Sequence, residues 1–160
     1  GSNNENWTLY VSNADGDLEF YNQGIKEVEF TDDGAINTLS DERAKKNIQN
    51  LNNVLPSILN ISPKTYVYKH SRSGRTSYGF LAQDVEKIFP DFVKKGGDNV
   101  NDDTYSLSYL SFIPVLVKGI QEQQAVIEKQ ETEIQDLQKK YDVILKKLES
   151  LETFIKTERK

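Results

Sequence analysis

The 160-residue chain contains no cysteine and a single histidine, His70. Without cysteine, it can form neither a disulfide framework nor a thiolate metal site. One histidine also argues against a histidine-rich metal centre and against a Ser-His-Asp triad within one chain. The sequence therefore implies no metal and no cofactor.

Positive charge and long apolar runs are also scarce. A net charge of -5 argues against a dedicated nucleic-acid binder, whose phosphate contacts need clustered lysine and arginine. No apolar run is long enough to cross a bilayer. Hydrophobic residues make up only 36% of the chain, which is thin for a compact monomer. We therefore expect neither nucleic acid nor membrane as a partner, and expect surface to be buried by assembly with further copies.

The N-terminal part reads as short strands. The chain opens with GSNN and has no initiator methionine, so we interpret residues 1–6 as a tag or linker on an excised fragment. Residues 7–36 alternate apolar and polar in runs that are interrupted by glycine turns, which predicts a small antiparallel meander. The turns are Asp15-Gly16, Asn22-Gln23-Gly24 and Asp32-Asp33-Gly34.

Residues 40–112 mix helical and extended patterns. A helix is predicted to begin at Ser40 or Asp41 and to end before Pro56. The apolar residues that it would turn inward are Ile48, Leu51 and Leu55.

Two hairpins and another helix are predicted further along. TYVYKHSRSGRTSYGFL contains two β-rich runs around Ser73-Gly74, which favours a hairpin. AQDVEKIF places Val85 on an apolar helical face and stops at Pro90. DFVKKGGDNVNDDTYSL predicts a strand, a turn at Gly96-Gly97 and a return strand.

The last third carries the clearest pattern. From Ile113 onward, apolar residues recur at positions a and d over about six heptads, which is typical of a coiled coil. At roughly 1.5 Å per residue the helix would reach about 65 Å. No second helix of that length is predicted in the chain, so we expect it to pack against other chains. The a and d residues are Ile113, Leu116, Ile120, Gln123, Ile127, Gln130, Ile134, Leu137, Tyr141, Ile144, Leu148, Leu151 and Ile155.

The heptads leave the order of the oligomer open. Two consecutive d layers, Gln123 and Gln130, are polar, which weakens the seam and specifies its register. A parallel trimer is preferred mainly because of the following resemblance.

Three blocks, LSDERAKKNI, YGFLAQDVEKIFPDFV and YSLSYLSFIPVLVKGIQEQ, resemble in order and spacing the C-terminal intramolecular chaperone domains of phage endosialidases and tail fibres. The resemblance covers about residues 39–125. It implies a domain that trimerises, holds three fibre chains together while they fold, and then cuts itself off. It further implies cleavage of the Leu39–Ser40 bond by a Ser-Lys dyad, with Ser40 as nucleophile and Lys45 as general base.

The chemistry can be judged from the residues as well. If Ser40 caps a helix, the Lys45 side chain can fold back toward it, and first-turn amides could form an oxyanion hole. Attack of Ser40 Oγ on the Leu39 carbonyl passes through a five-membered ring to an ester. A lysine base must be neutral, and burial in an oligomer favours that form. Cleavage is therefore expected to follow assembly.

These features together predict an α+β chain in three parts. Residues 1–39 would be the β-rich end of an upstream fibre, residues 40–112 the mixed helix and hairpin chaperone domain, and residues 113–160 the parallel trimeric coiled coil. The expected function is to trimerise, to assist folding of the upstream fibre segment of the same chain, and to release itself in one turnover as a serine endopeptidase.

Two rival functions stay open. One is a trimerisation cap that assembles a fibre or surface adhesin without cleaving, and the other is an adhesin tip that binds a receptor through its β-rich loops. A phage tail-fibre or spike precursor made in the host cytoplasm is the expected setting, with the bacterial surface as the alternative. Whether Lys45 serves its own serine or that of a neighbouring chain also stays open.

Overall fold

A computed structural model describes residues 6–96 and 104–158 of the chain. Strands and helices are both present and largely segregated, so the predicted α+β class is confirmed. The fold divides into two compact units, Gly1–Asn50 and Leu51–Lys160.

The first unit is an antiparallel meander, as the alternating sequence predicts. Its sheet order is β1-β2-β3-β4, and glycines with positive φ stand in the turns at Gly16, Gly24 and Gly34. At each of these three positions the backbone has a positive φ, which glycine adopts without steric cost. The strands are β1 (Trp7–Val11), β2 (Leu18–Asn22), β3 (Ile25–Phe30) and β4 (Ile36–Thr38).

The two faces of this sheet differ in chemistry. The register places Leu9 beside Phe20 and Phe20 beside Val28, which gives one face an apolar character. The other face carries Glu19, which is 7% exposed although it is charged, and which accepts a hydrogen bond from the Lys26 ammonium at 3.0 Å. A buried carboxylate of this kind requires such a partner.

Before its long C-terminal helix, the described part of the second unit contains two short hairpins and two short helices. Both hairpins fall where the sequence predicts them, although the Gly97 part of the second turn lies outside the described residues. The elements are α1 (Leu55–Leu59), β5 (Lys64–Tyr66), β6 (Ser77–Gly79), α2 (Ala82–Glu86), β7 (Val93–Lys95) and β8 (Tyr105–Leu107). A 3₁₀ turn at Pro90–Phe92 follows α2.

The core of the second unit is small and aromatic. Val85 on α2 is 1% exposed, and Val54 and Phe112 are also buried. The Phe112 ring stacks on Phe80 at 5.1 Å between centroids and meets Phe92 edge-on at 5.0 Å. Aromatic pairs at these distances add to the stabilisation from buried area, so Phe112 joins the hairpins to the helix that it begins.

The predicted long helix is present as α3 (Phe112–Glu158), 47 residues long. At about 1.5 Å per residue it extends for about 70 Å. Its first turns are buried through Phe112, Val115 and Gly119. The heptad residues Ile113 and Ile120 lie on a stripe about 100° further around the helix, and Ile120 is 66% exposed. The second unit therefore occupies one stripe of α3 and leaves the heptad stripe uncovered.

The helix predicted from Ser40 or Asp41 to Pro56 is wrong. Only a 3₁₀ turn, Glu42–Ala44, forms there, and Ile48 and Leu51 are exposed rather than turned inward. Asn47 adopts a positive φ of 54°, which a continuing helix does not accommodate. A short helix without a buried face is marginal in water, and this segment has no such face.

Candidate active site

Ser40 and Lys45 lie in contact within the first unit. The Lys45 ammonium Nζ donates a hydrogen bond to Ser40 Oγ at 2.7 Å. This distance is within the range at which a base takes a proton from a serine hydroxyl. The two residues that the family resemblance pairs are thus brought together by the backbone of one chain.

A single turn of 3₁₀ helix makes this contact possible. Asp41 begins the turn, and its Oδ1 accepts the backbone N–H of Arg43 at 2.8 Å. The Lys45 N–H then donates to the Glu42 carbonyl at 3.0 Å and closes the turn. The turn reverses the chain, so the long side chain of Lys45 reaches back to Ser40.

The charge beside Lys45 is balanced locally. The Arg43 guanidinium binds Asp41 through both Nε, at 3.0 Å, and Nη2, at 2.6 Å. These hydrogen bonds hold the pKa of Asp41 below its ordinary value and raise that of Arg43. The Asp41 carboxylate is therefore engaged mainly by Arg43, and the charge of Lys45 lowers its pKa further.

Two details of the predicted site are corrected. Ser40 is not a helix cap, because Asp41 caps the 3₁₀ turn. The expected oxyanion hole at the start of a helix is also wrong, because the N–H groups of Arg43, Ala44 and Lys45 are bonded to Asp41 and Glu42.

The Leu39–Ser40 bond follows directly after the sheet. The Leu39 N–H donates to the Glu27 carbonyl on β3 at 2.8 Å, so the backbone of Leu39 is bonded to β3 one residue beyond the end of β4. Ser40 and Lys45 are both exposed, and Leu39 is 37% exposed. In the single chain, water therefore reaches the dyad.

A shallow groove beside the Leu39–Ser40 bond is lined by residues of β3 and by the segment 37–40. A second lysine, Lys26, is one of these lining residues. Hydrogen bonds from its ammonium to Glu29 and Glu19 raise the pKa of Lys26 above its ordinary range. Lys26 therefore stays protonated and is unsuited to act as a base. The sequence pattern gave no reason to single it out.

The predicted coiled-coil positions lie along one side of α3. Beyond the second unit this stripe is uncovered, with Ile134, Leu137 and Ile144 all exposed. Every one of the thirteen a and d residues is exposed in the single chain. They are Ile113, Leu116, Ile120, Gln123, Ile127, Gln130, Ile134, Leu137, Tyr141, Ile144, Leu148, Leu151 and Ile155.

Glu122 is a residue that pattern reasoning missed. Its Oε2 accepts the N–H of Leu55 at 2.9 Å and that of Val54 at 3.0 Å. The amides of Leu55, Asn53 and Val54 lower the pKa of Glu122. The carboxylate on α3 therefore caps the start of α1 from 67 residues away, a contact that local spacing does not reveal.

Within 6–96 and 104–158, no group of three or more histidine or carboxylate side chains is placed to hold a metal ion. Among the helices in those ranges, none has the length and apolarity needed to span a bilayer.

The central segment of the chain matches a known protein family. Residues 40–94 match the family model Peptidase_S74, described as "Chaperone of endosialidase". This segment is therefore similar to the endosialidase chaperone family, and the resemblance found in the sequence is confirmed. The match begins at Ser40, the residue that contacts Lys45.

A viral protein is similar to part of the chain. The chain is 45% identical over 62 residues to "Uncharacterized protein VP1" of Micromonas pusilla reovirus (isolate Netherlands/2005). The similar segment covers 36% of this chain but only 3% of that relative. The family match supports a chaperone role and a peptidase kind for the domain.

Proposed function

We propose that this chain is an intramolecular chaperone that trimerises, assists folding of the upstream segment of the same chain, and then releases itself by cutting the Leu39–Ser40 bond. Ser40 is the nucleophile and Lys45 the general base of this single-turnover reaction. The observation that carries the proposal is the 2.7 Å contact between Lys45 Nζ and Ser40 Oγ, which lies at the start of the family match.

The reaction is balanced without an external cofactor. Neutral Lys45 takes the proton of Ser40 Oγ as the oxygen attacks the Leu39 carbonyl carbon through a five-membered ring. The Leu39–Ser40 peptide bond breaks, and its nitrogen accepts a proton and becomes a free amine. Water then hydrolyses the Leu39 ester and leaves a carboxylate on Leu39 and a hydroxyl on Ser40.

Assembly supplies the desolvation that this step needs. A lysine has an ordinary pKa of about 10.4 and is therefore charged near neutral pH. Lys45 is exposed in the single chain, so its ammonium is hydrated there. Removing water from around it in an oligomer favours the neutral amine, which couples cleavage to correct assembly.

The exposed surface supports an assembled state. The chain of 18.3 kDa exposes 14006 Å², whereas a compact monomer of that mass exposes about 8,100 Å². The excess is several times the roughly 800 Å² that each partner contributes to a standard interface. The uncovered heptad stripe on α3 fits a parallel trimeric coiled coil, with Gln123 and Gln130 fixing its register.

A viral fibre or spike is the setting that we propose. The family is described by its endosialidase chaperones and the similar protein VP1 is viral. The β-meander of the first unit would then be the end of the upstream fibre, and the host cytoplasm the place of synthesis.

The test is the intact mass of the freshly purified protein, with its oligomeric state measured by light scattering. We expect wild type to lose residues 1–39 and to start at Ser40. The Ser40→Ala and Lys45→Met variants are expected to stay whole, because removing a nucleophile or its base costs at least about a thousandfold in rate. Lys46→Met is the matched control, since it removes the adjacent lysine and leaves the Ser40 contact.

Each result is decisive. Equal retention of residues 1–39 in wild type and Ser40→Ala would overturn self-cleavage. Loss of cutting in Lys46→Met as well as Lys45→Met would show that general charge, not the Lys45 contact, matters. A folded monomer at micromolar concentration would overturn the assembly part.

The second candidate is a cap that assembles the fibre and never cuts. The 47-residue helix with its uncovered heptad stripe favours it independently of the dyad. It predicts a stable trimer whose mass is unchanged in wild type and in Ser40→Ala.

A further inference from the structure

In the first unit, the register between β2 and β3 shifts at one position. Phe20 lies opposite Val28, whereas its neighbour Tyr21 lies opposite Lys26. Glu27 is therefore an extra residue in β3. Such a β-bulge redirects neighbouring side chains and is over-represented next to active sites.

The bulge determines where Lys26 points. On a regular strand, residues three apart point to opposite faces of the sheet. Here the Lys26 ammonium contacts the Glu29 carboxylate on its own strand and lies 3.0 Å from Glu19 Oε1 on β2. Asn37 on β4 donates its side-chain amide to Glu29 Oε1 at 2.7 Å. The extra residue thus creates a side-chain connection that runs from β2 through β3 to β4.

The backbone of the bulge holds the residue before the Leu39–Ser40 bond. The Glu27 carbonyl accepts the Leu39 N–H at 2.8 Å, one residue past the end of β4. The carbonyl group of Leu39 follows immediately along the chain, and Ser40 Oγ of the next residue accepts the hydrogen bond from Lys45 Nζ at 2.7 Å. A groove of about 210 Å³ runs along this junction and is lined by residues 26–29 and 37–40.

We propose that the Glu27 bulge, together with the connection from Lys26 through Glu29 to Asn37, positions the Leu39 carbonyl for attack by Ser40 Oγ. This inference rests on the proposed self-cleavage and adds residues upstream of the family match. Fixing the Leu39 N–H limits rotation of the peptide that carries the reacting carbonyl, and small misplacements of reacting groups are costly in rate. Lys26 is a positioning residue, because it acts through the backbone of Leu39.

The first experiment compares cleavage rates in the full chain. Lys26→Met removes the ammonium and breaks the connection, and we expect cutting to slow by about 10- to 100-fold. The midpoint of the pH profile should not move, because the base Lys45 is untouched. Lys26→Arg keeps the two carboxylate contacts and should restore most of the rate.

A matched control separates positioning from sheet stability. Asp17 Oδ1 accepts the Asp32 N–H at 3.0 Å away from the cleavage point, and Asp17 is buried. Asp17→Ala should lower the unfolding temperature of the protein and leave the cleavage rate of folded molecules within about twofold of wild type.

The second experiment needs no cleavage. In the uncut Ser40→Ala protein, hydrogen exchange of the Leu39 amide should be slow, and adding Lys26→Met should accelerate it at least tenfold while amides of β1 and β2 stay protected. If wild type is cut and Lys26→Met is cut equally fast, the positioning inference is overturned and self-cleavage stands. If wild type is never cut, the proposed function itself fails. Unchanged exchange at Leu39 would also overturn the inference.

Discussion

A pair of compensating substitutions at Ile58 and Gly119 tests how α3 packs against α1. A methyl group added at Gly119 would collide with Cδ1 of Ile58 on α1 and lie 3.9 Å from Cγ2 of Val54. Gly119 is buried, so its lack of a side chain is what allows the two helices to approach. Gly119→Val adds three carbons and Ile58→Ala removes three, which makes the double variant volume-conserving.

The magnitudes follow from burial. Gly119→Val should cost about 1–2 kcal/mol, because overpacking costs about 1–3 kcal/mol and helix propensity returns about 0.4 kcal/mol. Ile58→Ala removes about 2.4 kcal/mol of transfer free energy at about 0.8 kcal/mol per carbon, and half-burial of Ile58 reduces this to about 1–2 kcal/mol. The double variant should lose less than about 1 kcal/mol, a coupling of about 2 kcal/mol.

Urea unfolding at one fixed protein concentration measures these differences, since an assembling protein changes its stability with concentration. Ile58→Val is a mild control that removes one carbon and should cost about 0.5 kcal/mol with Gly119 unchanged. If the double variant loses the sum of the two single losses, within about 0.5 kcal/mol, the helices do not meet at this point and the account of the anchor is wrong.

Two further predictions concern the charge of Glu122 and whether Lys45 acts on the serine of its own chain. The backbone N–H of Leu55 is the main cause that lowers the pKa of Glu122 in the folded protein. The Glu122 carboxylate therefore stabilises the fold at a pH above its pKa in the unfolded chain, near 4.3. This stabilisation is lost as the pH falls through the lower pKa of the folded state. Glu122→Gln should therefore lower the unfolding temperature at pH 7 and weaken its dependence on pH below 5, whereas an unchanged acid profile would contradict the capping role. Because Lys45 contacts Ser40 of its own chain, trimers refolded from mixed Ser40→Ala and Lys45→Met chains should stay uncut, and restored cutting would place the base on a neighbour.

Sequence patterns predicted the elements that depend on local chemistry. Alternation and glycine turns gave the four-stranded meander, and the heptad pattern gave α3 with its uncovered stripe. Val85 was also placed correctly, on a short helix that ends before Pro90. These features depend on periodicity and on turn geometry, which neighbouring residues determine.

The segment after Ser40 was predicted wrongly because its helix-forming residues have no buried face to pack. DERAKKNIQNL has helix-forming residues, yet the chain makes one turn and then continues irregularly to Val54. Asn47 and Asn53 both adopt positive φ, and the amides of Val54 and Leu55 are taken up by Glu122. Local propensity alone does not hold such a short, exposed segment in a helix, and the Glu122 contact at the start of α1 comes from 67 residues away, which spacing along the chain does not reveal.

The sequence carries one weak signal of the bulge. In IKEVEF, Lys26 and Glu27 are consecutive polar residues between Ile25 and Val28, so the alternation slips by one residue. A slip of this kind is what an extra residue produces in a strand whose two faces differ.

The geometry of the dyad limits what assembly can contribute to the proposed cleavage. Ser40 and Lys45 already lie 2.7 Å apart in a single chain, so bringing them together is not what trimerisation adds. Both side chains are hydrated there, and Arg43 already engages Asp41. The remaining requirement is a neutral Lys45, which removal of water provides. Under the proposed function, folding is therefore coupled to cutting through the removal of water from around one lysine side chain.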